Sequence, residues 1–214
     1  MIKLFWILLI IVFPSSCLAG VSVLGTRFFI DDSTNSLNIK VFNDDGGDYL
    51  VKTTVNDDRF IIAPPLFVLP RDKSNIITII PKEGIGTEKD EIYSLTISTI
   101  PKSEVNDNDN IISLALRSHF NIIYRHKLPA DEDYNKVILK SYHAGEWSLE
   151  NPTKFAFVIF LSKNTPHHSG RVKVLGPGQS VSVNEYCSKN SCSLWLNFIG
   201  EENDFVKKIN LISG

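Results

Sequence analysis

The chain has 214 residues, 22 of them lysine or arginine against 24 aspartate or glutamate, for a formal net charge of -2, and 43% of it is hydrophobic. That length allows one large or two small domains with real cores, and the composition excludes a disordered or fibrous chain. The basic residues are scattered, which excludes the clustered positive footprint of a nucleic-acid binder.

The chain opens with MIKLFWILLIIVFPSSCLAG: Lys3, an apolar run from Leu4 to Phe13, then small residues ending at Cys17-Leu18-Ala19. A basic start, a short apolar core and a small-residue cleavage site predict a secretory signal over 1–19, cut after Ala19, and the run is too short to span a bilayer comfortably. Lipidation at Cys17 is the alternative, but Phe13-Pro14-Ser15-Ser16 lacks the leucine expected three residues before such a cysteine. Removing the signal leaves 22 - 1 = 21 basic residues against 24 acidic ones and two of the three cysteines. An exported mature chain without membrane insertion is expected.

From Gly20 onward the period is two. VSVLGTRFFI, LNIKVFN, YLVKTTV, NIITIIP, IYSLTISTI and LALRSHFNIIYR are short β-rich runs, punctuated by DDGGD, NDD, PP and NDNDN. HKLPADEDYN, residues 126–135, is polar and contains Pro129, so it is read as a linker. A second series follows: KVILKSY, GEWSLEN, KFAFVIFLS, RVKVLG, QSVSVNE, SLWLNFIG and DFVKKINLIS. The pattern predicts an all-β protein of two immunoglobulin-like sandwiches in tandem, 20–127 and 128–214, each of about a hundred residues. Pro64-Pro65 and Asn151-Pro152-Thr153 are read as structural turns, with a cis bond possible before one proline of the pair. Cys187 and Cys192, five apart, lie at a separation that a hairpin brings to disulfide distance in an oxidising compartment, and further ligands for a metal site are lacking around them.

The stretch NIISLALRSHFNIIYR, residues 110–125, is unusual. Ile112, Leu114 and Leu116 share one face of an extended strand and Ile111, Ser113 and Ala115 the other, so it is apolar on both sides. Such a strand is either buried or built to pair with another chain. The pattern leaves both readings open.

Thr26-Arg27, APPLFVL at 63–69, SLALRSHFNIIYR at 113–125 and ENPTKF at 150–155 resemble, in order and spacing, the periplasmic chaperones of pilus and fimbrial subunits, over nearly the whole mature chain. The resemblance implies two sandwiches at an angle with a cleft between them. It also implies a role without catalysis or cofactor: binding pilus or fimbrial subunits by donor-strand complementation and passing them to an outer-membrane usher. Ile112, Leu114 and Leu116 would be the lent side chains. Arg27 would hold the subunit's C-terminal carboxylate, together with a position that is lysine in the family and Asn121 in this chain. The missing charge could come from His119 or Arg125, or the anchor could be weaker. Arg125 would also join Asp90 and Glu201 in a charge network between domains, although Glu201, in FIGEEND, reads equally as a solvated loop residue.

Enzyme signatures are missing: neither Gly-x-Ser-x-Gly nor His-Glu-x-x-His occurs, and the adjacent His167-His168 is not expected to form a metal site. The rival readings are an exported fimbrial subunit or adhesin, which would carry one incomplete domain, and an extracytoplasmic immunoglobulin-like binding module. The latter would leave Arg27 and the 112, 114, 116 face without a shared role.

Overall fold

A computed structural model describes residues 20–31, 34, 36–82, 88–102, 114–143, 145–163 and 172–213. The predicted signal over 1–19, Ile112 of the apolar stretch and His167-His168 lie outside the described residues.

The first sandwich pairs a four-stranded sheet, β1-β3-β7-β5, with a five-stranded one, β2-β9-β8-β4-β6. Its strands are β1 (Val21–Val23), β2 (Arg27–Asp31), β3 (Leu37–Asn43), β4 (Tyr49–Val55), β5 (Phe60–Ala63), β6 (Leu66–Leu69), β7 (Ser74–Pro81), β8 (Glu91–Pro101) and β9 (Leu116–Arg125). The second pairs β10-β11-β14 with β13-β12-β15-β16. It comprises β10 (Ile138–His143), β11 (Glu146–Glu150), β12 (Phe157–Ser162), β13 (Val172–Leu175), β14 (Ser180–Ser182), β15 (Cys192–Ile199) and β16 (Phe205–Ser213). Each has its own core. Ile30, Ile39, Val51, Ile77, Leu95 and Ile122 are among those filling the first, while Trp147, Leu149, Phe157, Ile159, Leu194 and Phe198 help fill the second.

One run read as a single strand, and the double-proline stretch read as a turn, each carry the chain from one sheet to the other. VSVLGTRFFI breaks at Gly25, with β1 pairing with β3 in one sheet and β2 running parallel to β9 in the other. Gly25 has φ +120°, and a Cβ there would lie 2.7 Å from the Phe28 ring, so only glycine fits the crossing. APPLFVL divides at its prolines: β5 pairs with β7 and β6 with β4. The Ala63–Pro64 bond is cis, and the two prolines bring no N–H donors to the point where the chain leaves one ladder for the other.

The predicted linker is more than a spacer. It contains one helical turn, α1 (Asp131–Tyr134), because the Asp133 carboxylate accepts the Ala130 N–H at 2.9 Å. Tyr134 then packs on the rings of Phe157 and Phe198, at 5.2 and 4.9 Å between centroids, fixing the turn to the second sandwich.

The disulfide joins Cys187 to Cys192. It does not staple a hairpin of paired strands as anticipated. β14, before it, pairs with β11 in one sheet, while β15, after it, pairs with β12 and β16 in the other. It closes a tight turn, in which Ser188 N–H donates to Ser191 O at 2.9 Å, within a sheet-to-sheet connection. Spacing alone carries no information about which sheets the flanking strands join. Asn151 is fully buried: its amide nitrogen donates to the carbonyls of Phe155, Leu175 and Gly176, and its oxygen accepts from Thr153. The Asn151-Pro152-Thr153 turn therefore has the structural role expected of it, because every polar atom of a buried amide must find a partner.

Candidate functional site

β9 is flanked from Leu116 to Tyr124 by β8, with Thr99 opposite Leu116 and Glu91 opposite Tyr124. On its other side β2 covers only Asn121–Arg125. Between Leu116 and Phe120 that side of the strand has no neighbour among the described residues, and no described strand pairs with its backbone groups there.

Side chains alternate along this strand. Ile122 and Tyr124 point into the first core, and Phe120 packs at its margin. Leu116 and Leu114 continue the same face by period two, yet they are 59% and 79% exposed, because the core that covers Ile122 does not extend over them. Of the three residues anticipated as a lent face, these two are described. Among the described residues nothing in their own domain buries them.

The open edge stops where β2 begins, and there Arg27 stands opposite Asn121 in the parallel register. Arg27 is half-buried, and desolvation lowers its guanidinium from the ordinary value. Its Nη2 donates to Asn203 Oδ1, in the turn between β15 and β16, at 2.6 Å, while its Nε is shielded and has no hydrogen-bond partner among the described residues. Asn203 was not singled out from sequence. In GEEND it reads as one more polar turn residue, and no local signal links it to Arg27, 176 positions away.

Arg125 is not available to supply the missing anchor charge. Its Nε donates to Asp90 Oδ2 at 2.9 Å, Nη1 to Glu201 Oε1 at 2.9 Å and Nη2 to the Ala156 carbonyl at 2.6 Å. Asp90 Oδ2 also accepts the Ala156 N–H at 2.8 Å, and the guanidinium lies 5.2 Å from the centre of the Phe29 ring. The structure thus brings Asp90 and Arg125 of the first sandwich to Glu201 and Ala156 of the second, and Glu201 is not simply a solvated loop residue. All three nitrogens of a nearly buried arginine are satisfied, which is what allows the charge to remain out of water. Beside this network Ile123, Ala156 and Val158 are buried with Phe29, Ile92, Val174 and Ile199 against them, an apolar seam between the two sandwiches. His119, the other candidate for the anchor, lies two residues before Asn121 on the same face, with its Nδ1 3.0 Å from Thr96 Oγ1.

A further apolar set lies away from this edge. Leu50 sits opposite both Val68 and Ile100 across the β6-β4-β8 part of the five-stranded sheet, with Leu66 one step along, and all four are exposed.

Comparison with known proteins gives this pair of sandwiches a family. The model of the pili and flagellar-assembly chaperone family, PapD N-terminal domain, matches residues 20–129. The chain belongs to this family. It is similar to the chaperone protein LpfB of Salmonella typhimurium, 27% identical over 161 residues that span 70% of this chain and 69% of that protein. It is also similar to a probable fimbrial chaperone LpfB of Escherichia coli O157:H7, 30% identical over 115 residues, half of each chain. Among solved structures, the periplasmic chaperone SfaE superposes with a TM-score of 0.71 at 20% identity, covering 91% of this chain and 100% of that one. The complex of the Salmonella enterica SafA pilin with the SafB chaperone gives a TM-score of 0.74 at 16% identity, covering 93% and 99%. These likenesses establish the two-sandwich fold, and the family is one of chaperones, not enzymes or fibre subunits. Among the described residues no helix is long and apolar enough to cross a membrane.

Proposed function

We propose that the protein is a periplasmic chaperone that holds an incomplete pilus or fimbrial subunit on the open edge of β9 and hands it to an outer-membrane usher. The observation that carries this reading is the edge itself: Leu116–Phe120 without a partner strand on the β2 side among the described residues, fringed by the exposed Leu114 and Leu116, and ending at Arg27. A subunit strand laid there lies in line with β2. Running parallel to β9, as β2 does, it brings its C-terminal end to Arg27. Main-chain hydrogen bonds then provide pairing, and Leu114, Leu116 and, by the sequence pattern, Ile112 fill the groove that the subunit's missing strand leaves. Each such side chain contributes roughly 1.5 to 3 kcal/mol before ordering costs.

Arg27 is the anchor for the terminal carboxylate, since a guanidinium meets both carboxylate oxygens through parallel hydrogen bonds. Asn121, opposite it, supplies an amide donor without charge. The Asp90–Arg125–Glu201 network and the seam around Ile123 fix the second sandwich against the first, so that the cleft is formed before a subunit arrives. While a subunit fills the β9 edge, the apolar set of Leu50, Leu66, Val68 and Ile100 remains uncovered on the same sheet and is the surface we assign to the usher.

The test is co-expression in a bacterial periplasm with the subunits encoded beside this gene. A subunit recovered only when this chain is present, and bound to it on purification, is the expected result. A subunit that accumulates equally without it, or a chain that instead incorporates into a surface fibre, would overturn the reading.

A further inference from the structure

We infer that Asn203 is a resident competitor for the carboxylate-binding edge of Arg27, and so sets how tightly the cleft holds a chain end. The inference rests on the reading of Arg27 as the carboxylate anchor. The Nε and Nη2 hydrogens of an arginine point the same way and form one fork, which a carboxylate meets with both oxygens. In this protein half of that fork is taken: Nη2 donates to Asn203 Oδ1 at 2.6 Å, whereas the shielded Nε has no partner among the described residues. As placed, the Asn203 oxygen meets only one of the two donors. The desolvated Nε–H costs free energy until a second acceptor arrives. A carboxylate brings two charged acceptors, meets both donors, and displaces the amide.

The turn that carries Asn203 presents it to the fork and survives its release. Asn203 has φ +65°, its N–H donates to Gly200 O at 3.2 Å, and Gly200 N–H donates to Asp204 O at 2.8 Å. Asparagine enters this left-handed region far more readily than most residues, so one side chain both suits the turn and faces the cleft. Two residues earlier, Glu201 binds Arg125 at 2.9 Å. That bond holds the turn against the first sandwich while the Asn203 side chain swings away. A backbone carbonyl in mid-strand, neutral and single, has no such advantage over the amide, so the competitor favours a chain end over a chain middle.

The measurement is an NMR titration of the full chain with a synthetic octapeptide of alternating valine and threonine bearing a free C-terminal carboxylate, and with the same peptide amidated. Asn203→Gly tolerates the positive φ and removes the competing oxygen. It should tighten binding of the free-acid peptide about fivefold, equivalent to ~1 kcal/mol, and leave the amidated peptide unchanged. Asn203→Asp places a charged acceptor on the same fork and should weaken the free-acid peptide by about tenfold or more. Both variants should melt with the parent. Unchanged or weaker free-acid binding by Asn203→Gly, or undiminished binding by Asn203→Asp, overturns the inference. Arg27→Ala, run alongside, separates the two levels: if neither it nor amidation lowers the affinity of the parent, the anchor itself is wrong. An anchor that responds to both while Asn203→Gly is silent removes only the competitor.

Discussion

The two halves of β9 share one alternation of side chains and meet opposite fates. From Asn121 to Tyr124 the strand lies between β2 and β8, and Ile122, Ile123, Tyr124 and Arg125 are all buried. From Leu116 to Phe120 it has β8 alone among the described residues, and Leu114 and Leu116 are exposed although they continue the face of Ile122. The difference lies not in residue type, since leucine and isoleucine are equally apolar, but in whether the fold supplies a cover. One half is part of this protein's core. The other is exposed apolar surface, which we propose a partner completes.

The same substitution placed on each half gives the largest expected contrast. Ile122→Glu buries an unpaired carboxylate and should unfold the first sandwich, a loss beyond ~4 kcal/mol. Leu114→Glu with Leu116→Glu, on the same face, should leave the free protein within ~0.5 kcal/mol of the parent by thermal melting while subunit capture in the periplasm fails. If the double variant melts early, the two halves are not distinct and both leucines belong to the core.

Next in size is the junction that the buried half helps to form. Arg125→Ala leaves Asp90 buried with its charge unpaired, and should lower stability by about 3 to 5 kcal/mol. Denaturant unfolding followed by the fluorescence of Trp147 and Trp195 in the second sandwich and by circular dichroism of the whole should then separate into two transitions. Coincident, unshifted transitions would mean that the sandwiches are joined by the apolar seam alone.

A smaller loss is expected far from either half. Replacing both Cys187 and Cys192 with serine opens a short loop, which chain entropy values at about 2 kcal/mol. The melting temperature should fall without any change in which subunit is captured. A change in capture would connect this turn to the cleft.

A small effect on stability combined with a loss of binding is expected at the point where the two halves meet. Arg27→Ala removes one partly exposed hydrogen bond and should cost less than ~1 kcal/mol in folding. It should nonetheless weaken capture of a free C-terminus by more than ~1.5 kcal/mol, a charge-assisted contact. Melting and pull-down should therefore diverge for this variant. If they fall together, Arg27 is a strut between the sandwiches and not an anchor.

The candidate site was legible in the sequence only in part, and the reasons differ by residue. Leu114 and Leu116 announced an apolar face by their alternation, but whether it is covered depends on where the core ends, which no local pattern records. Arg27 and Asn121 were paired through a family resemblance, and their opposition follows from a parallel register between strands more than ninety positions apart. Asn203 gave no signal, because a turn asparagine looks the same whether its amide meets water or a guanidinium.

The sequence by itself determined the period of two, and with it the all-β class, the near-complete set of strands and their division into two series about a polar segment. These follow from side chains alternating across an extended backbone, a property of neighbours in the chain. Only the tertiary structure decided that the first run crosses sheets at Gly25, that the double-proline run crosses at Pro64, and that the disulfide closes a sheet-to-sheet turn. It also decided that β2 covers β9 only from Asn121 onward. Those outcomes depend on which distant strands offer hydrogen bonds and where two sheets cease to face each other. A strand carries its faces in its own residues, but its neighbours come from elsewhere in the chain.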